Sequence, residues 1–195
     1  EVFFIAAKEK AVILFAGDLV DKAANLKAHV ITELYNTFDA NFKTFPNTKF
    51  VCISGNHDLT TRNLRQGEAL SIMSLFDNAF KNFHCLDMNV KGYDCFCGGG
   101  KVQVYGIPFY DKRDLWINHL KIIKENTREG YDSILLTHQT DTTQPRPDIF
   151  YEDVKDFGMV FNGHIHNFTQ HAPNFYTVGN PLHRDLSDEG KEKFI

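Results

Sequence analysis

Ala11-Val12-Ile13-Leu14-Phe15-Ala16 is an unbroken apolar run that stops at Gly17-Asp18. Apolar side chains without polar alternation mark a strand buried on both faces, as in a parallel sheet covered by helices. Phe50–Ser54, stopped by Gly55-Asn56, has the same form, and so do Ser133–Leu136, Met159–Phe161 and Phe175–Val178. Helical spacing fills the gaps. Leu26, Val30, Leu34 and Phe38 recur every fourth residue, which predicts a helix over Ala23–Phe42. Further helices are expected at Glu1–Lys10, Ala69–Phe80 and Asp114–Glu129. In the middle, His84–Met88, Tyr93–Cys97 and Lys101–Gly106 read as short strands, with Gly98-Gly99-Gly100 as a hairpin turn. Strand–helix alternation interrupted by hairpins predicts an α/β fold, a layered sandwich of mixed β-sheets flanked by helices.

Composition sets the outer bounds. At 195 residues and 43% hydrophobic, residues 1–195 suit one domain with its own core. No apolar run approaches the roughly 20 residues that a membrane-spanning helix needs. The 18 Phe and 7 Tyr argue against disorder. A net charge of −4 gives no global basic field, so any nucleic-acid contact must be local. These features fit a soluble, cytoplasmic protein. Cys52, Cys85, Cys95 and Cys97 read as reduced thiols, because Cys95-Phe96-Cys97 has no second short-spaced pair to complete a zinc clip. Gly98–Lys101 lacks the spacing of a phosphate-binding loop and is a turn.

Four of the apolar strands end in residue types that bind metals. These ends are Gly17-Asp18-Leu19-Val20-Asp21, Gly55-Asn56-His57-Asp58, Thr137-His138 and Gly163-His164-Ile165-His166. In open α/β sheets ligands gather beyond the carboxyl ends of strands, so Asp18, Asn56, His138, His164 and His166 are expected at one rim. Each cluster alone reads as an ordinary turn or cap. Their joint occurrence at successive strand ends points to a metal site. Carboxylate, amide and imidazole donors suit divalent Mn, Fe or Zn. Several donors sharing one carboxylate suggest two ions about 3.5–4 Å apart, as used in phosphate ester hydrolysis. His57 is surplus to the ligand count and is placed to protonate the leaving oxygen.

This ordered set resembles the calcineurin-like metallophosphoesterase superfamily over residues 17–166. The resemblance implies that Asp18 bridges two divalent ions, with Mn²⁺ foremost and Mg²⁺, Fe²⁺ or Zn²⁺ as alternatives. It implies that Asn56, His138 and His164 complete one metal site and that His166 serves the other. His57 would be the acid, oriented by Asp21. Within the superfamily, Val178-Gly179-Asn180-Pro181 and Leu186-Ser187-Asp188-Glu189-Gly190 resemble the nuclease subunits of bacterial and phage SbcCD-type repair complexes. Protein phosphatases fit less well, since they continue the first motif with Arg-Gly and end the second in Glu. Lys22-Ala23 and Asp58 stand there in this chain. The implied activity is that of a DNA exonuclease and endonuclease subunit. DNA and an SbcC-like ATPase are its implied partners, a homodimer is possible, and the implied location is the cytoplasm, or the host cytoplasm for a phage protein.

The family opens with a strand ending in Asp-x-His, and no Asp-x-His precedes Gly17 here. The resemblance therefore implies an upstream strand carrying two further ligands, and a capping and partner-docking region beyond Gly190. Two other readings remain: a phosphodiesterase for a small nucleotide, and a non-catalytic scaffold with a degenerate metal site. His29, His84, His119 and His171 have no partner motif and read as surface or core histidines. Lys112-Arg113 and His183-Arg184 read as solvated basic pairs, and Trp116 and Phe109-Tyr110 as packing.

Overall fold

A computed structural model describes residues 1–60, 71–97 and 99–180. Two sheets form the body. The first is parallel, in the order β1 (Val12–Phe15), β2 (Lys49–Cys52), β3 (Phe83–Cys85). The second runs β4 (Tyr93–Cys97), β5 (Gly100–Ile107), β6 (Asp132–Thr137), β7 (Met159–Asn162), β9 (Phe175–Thr177), β8 (Thr169–Ala172). Its centre, β5 to β9, is parallel, and antiparallel β4 and β8 close its two edges. The expected mixed α/β sandwich is the fold observed.

Strand alternation builds the layers. Val51, Ile53, Leu86, Val102, Val104 and Leu136 form one cluster with Val12, Leu14, Ile134 and Phe161, which joins the two sheets face to face. The opposite side of the first sheet turns Ile13, Phe50 and Cys52 toward helices α1 (Val2–Glu9), α2 (Ala28–Thr44) and α3 (Ile72–Ala79). There Phe38, Phe42, Phe76, Phe80 and Phe83 pack together, with Phe38 edge to face against Phe83 and Phe50. The outer side of the second sheet turns Tyr105, Ile107, Leu135 and Val160 toward α4 (Arg113–Asn126) and α5 (Tyr151–Val154). The order across the molecule is helix, sheet, sheet, helix, and each sheet is buried on both faces, as unbroken apolar strands require.

Some boundaries differ from the expectation. The helix expected over Ala23–Phe42 is a single 3₁₀ turn at Ala23–Asn25 followed by α2 from Ala28. The break has a cause: Ala23 N–H bonds to His57 O at 2.8 Å, which ties that segment to the loop after β2, and Leu26 and Lys27 are extended. Ser71 caps α3, its hydroxyl accepting from Ser74 N–H, so the helix starts after Ala69 and Leu70, which lie outside the described residues. Helix α4 stops at Asn126, three residues short of the expected end, because Thr127 is extended. β8 and the short α5 were not expected. Among the described residues no helix is long and apolar enough to cross a membrane. Cys52, Cys85 and Cys95 are free thiols, two of them reading as direct neighbours across β2 and β3.

Candidate metal centre

The carboxyl ends of β1, β2, β6 and β7 meet between the two sheets. Beyond β1, the chain turns at Gly17 and Asp18 with positive φ at both residues, 91° and 63°. Beyond β7, His164 also has positive φ, 71°. Left-handed backbone at a non-glycine residue costs roughly 1–2 kcal/mol and recurs at functional sites. Two of the five candidate donors are therefore on strained backbone.

His138 is the pivot. Its imidazole is buried, and its Nδ1 lies 2.6 Å from Ala16 O, at the end of β1. A carbonyl only accepts, so Nδ1 carries the proton and, in the neutral ring, Nε2 presents a lone pair. That lone pair faces Asn56 Oδ1 at 3.2 Å and Asp18 Oδ2 at 3.3 Å. His164 Nδ1 stands 3.0 Å from the same Asn56 Oδ1. Asp18, Asn56, His138 and His164 are thus brought together, their side-chain N and O atoms converging on one point. His166 follows in the same loop, close enough to His164 for its charge to act on that ring.

The glycines that open three of these motifs share one neighbour. A Cβ on Gly17, Gly55 or Gly163 would stand 2.6, 2.7 or 2.6 Å from the His138 ring, closer than real Cβ atoms come. Each Gly makes room for the same imidazole. Phe109 closes the rim, its ring 5.6 Å from His164 and 6.4 Å from His138, beside the site and not in the core.

Electrostatics keep these groups in metal-binding form. Burial works to raise the Asp18 carboxyl, but the facing His138 ring and the His57 N–H outweigh it and leave Asp18 below the usual range. Burial lowers His164 to about 4, so its ring is neutral at pH 7. The fit to a divalent ion rests on this donor chemistry: lone pairs spaced 3.0 to 3.3 Å apart are distances that bonds of about 2.1 Å can span. Among the described residues no group of three or more His, Cys, Asp or Glu side chains is by itself arranged to hold a metal ion, and the cluster here includes the Asn56 amide.

His57 stands outside the cluster. Its Nδ1 hydrogen-bonds the backbone carbonyl of Asp21, while the Asp21 carboxylate lies 3.8 Å away and is 63% exposed. Asp21 therefore orients His57 chiefly through its main chain. The His57 side chain is 28% exposed, within reach of an arriving substrate.

Two carboxylates that the sequence reading left without a role hold the loops. Asp58 is fully buried and accepts from Asp18 N at 2.7 Å, Gly55 N at 2.9 Å and Val20 N at 3.1 Å. Burial, then the nearby Asp18 charge, raises it to about 6 against those N–H bonds. Asp87 accepts from Ser54 N at 2.7 Å and Ser54 Oγ at 2.6 Å, just ahead of Gly55-Asn56. Asp58 had a sequence signal, since it closes Gly55-Asn56-His57-Asp58; Asp87 had none. Arg113, read as a solvated basic residue, is instead committed to Asp153 through two bonds of 2.9 Å, to Asp148 O, and to the Phe150 ring. His183 and Arg184 lie outside the described residues.

A model of the calcineurin-like phosphoesterase family matches residues 2–168. The chain belongs to that family. It is a calcineurin-like phosphoesterase, a metal-binding hydrolase of phosphate esters, and the strand-end cluster lies within the matched residues. No curated protein matches the chain. When bound to a calcineurin-like phosphoesterase, a divalent metal supplies positive charge for the phosphate oxygens and makes water a competent nucleophile at neutral pH. In this chain the candidate cluster brings the His138 and His164 imidazoles together with Asn56 and the Asp18 carboxylate, with His57 outside it.

Proposed function

We propose that this calcineurin-like phosphoesterase cleaves the phosphodiester bonds of DNA, as the nuclease subunit of a recombination-repair complex. Asp18, Asn56, His138 and His164 hold one divalent ion, Mn²⁺ foremost. Asp18 and His166, with ligands from an upstream Asp-x-His strand, hold a second. His57 donates the proton to the leaving oxygen, and an SbcC-like ATPase and DNA are the partners.

One observation carries the nuclease reading. The Val178-Gly179-Asn180 turn, whose sequence resembles the SbcCD-type nucleases, is pressed against the metal loop. Asn180 N–H bonds to His166 O at 3.1 Å, and a Cβ on Gly179 would stand 3.0 Å from that same oxygen. The described part of that tail, up to Asn180, packs against the His166 loop, which supports the nuclease reading, while Pro181 and Leu186–Gly190 lie outside the described residues. A small nucleotide diester is the second reading, favoured by the net charge of −4 and by the commitment of Arg113 to Asp153.

Incubation with labelled duplex DNA and with bis-nitrophenyl phosphate, each with Mn²⁺, separates the two. Shortened or nicked DNA is expected. Turnover of the small ester with intact DNA overturns the nuclease reading and favours the second.

A further inference from the structure

We propose that Asn162 is a positioning residue for the metal centre, a side chain that fixes the spacing of His138 and His164 without touching either imidazole. The inference rests on the reading of those two histidines as metal ligands.

β6 and β7 pair in parallel up to Thr137 and Asn162, their last register partners. Gly163 N–H still reaches Thr137 O at 2.9 Å, and there the backbone ladder ends. His138 and Gly163-His164 follow at once, on strands that are about to diverge. The Asn162 carboxamide carries the pairing two residues further, to Gln139. Its Oδ1 accepts from Gln139 N at 2.9 Å and its Nδ2 donates to Gln139 O at 2.9 Å. A carboxamide offers one donor and one acceptor in a plane, so it takes the part of a peptide group in a neighbouring strand. No ionised carboxylate or apolar side chain does both.

The pairing is buried and braced. Asn162, Gln139 and Thr177 are all fully buried. Nδ2 also donates to Thr177 Oγ1 at 3.3 Å, and that hydroxyl donates to Asp141 Oδ2 at 2.5 Å. On the other side of β6, the Gln139 carboxamide does to Tyr110 what Asn162 does to Gln139, donating to Tyr110 O at 3.2 Å and accepting from Tyr110 N at 2.8 Å. Two amide-to-peptide pairings in series therefore tie the ends of β7, β6 and β5. His138 is bracketed between Thr137, whose hydroxyl accepts from Trp116 Nε1 at 2.9 Å, and clamped Gln139. Outer-shell partners of this kind typically contribute 10–100-fold to metal affinity.

The test is Mn²⁺ binding by calorimetry to the wild type, Asn162→Ala, Asn162→Asp, and Ile123→Ala. Ile123 is a buried residue of the α4 face outside the loop network, and its truncation controls for lost stability. Asn162→Ala is expected to bind Mn²⁺ 10–100-fold more weakly. Asn162→Asp, which keeps the acceptor for Gln139 N, should fall between it and the wild type and serves alone if the alanine variant does not fold. Ile123→Ala should bind as the wild type does despite a lower melting temperature. Wild-type affinity in both Asn162 variants, or an equal loss in Ile123→Ala, overturns the proposal. A wild type that takes up no Mn²⁺ overturns instead the metal-site reading on which the proposal rests.

Discussion

His57 is held by a carbonyl, not a carboxylate, and that decides which substitutions matter around it. Its Nδ1 meets Asp21 O, which any residue at position 21 supplies. His57→Ala is therefore expected to keep bound Mn²⁺ and lose 10²–10⁴-fold in kcat, the usual contribution of a positioned acid. Elemental analysis alongside turnover checks this, and loss of metal from the variant would refute it. The candidate donors were legible as residues because each follows an apolar run directly. Asn162, Gln139 and Asp87 were not, because they act on backbone N–H and C=O groups. An amide that pairs with a peptide leaves no spacing rule in a sequence. Phe109 was read as packing, and nothing in Pro108-Phe109-Tyr110 announces that its ring lies against two histidines.

Strands carried the fold's legibility, and turns limited it. β1, β2, β6 and β7 were readable because burial on both faces forces unbroken apolar runs. β8, Thr169–Ala172, was not, since an antiparallel edge strand of Thr, Gln and His carries neither an apolar run nor strict alternation. The start of α2 was misplaced for a related reason: the apolar spacing runs on through Leu26, but the Ala23–His57 backbone bond bends the chain away. Loop ends are coupled in the same way through Asp58, which gathers N–H groups from the first motif and the second. Asp58→Ala would leave the N–H groups of Asp18, Gly55 and Val20 without it. The expected cost is roughly 3 kcal/mol or more, the penalty for several orphaned buried donors. Denaturant unfolding of the metal-free protein measures it, and a loss under about 1 kcal/mol would show that water reaches those groups.

The sandwich as a whole answers to pH through groups remote from the chemistry. His119, on the buried face of α4, meets Tyr110 Oη through Nδ1 at 3.0 Å, while its buried Nε2 has no hydrogen bond among the described residues. Burial lowers its pKa from 6.5 to about 4. As pH falls the unfolded chain takes up this proton first, so the stability conferred by neutral His119 is fully present above pH 6.5 and drains away toward pH 4. The window is worth about 3 kcal/mol. His119→Gln should flatten that part of the acid unfolding curve, and an unchanged slope between the two proteins would exclude His119 as its source. A different trade is written into the left-handed backbone of Asp18 and His164. Without a bound ion those conformations only burden the fold. His164→Asn, a residue that tolerates positive φ, should therefore melt at or above the wild-type temperature in chelator. In saturating Mn²⁺ the ranking should invert, because only the wild type gains the roughly 2.7 kcal/mol that a ligand at a hundredfold excess over its Kd confers. The native sequence is then the sturdier one only in the company of its metal.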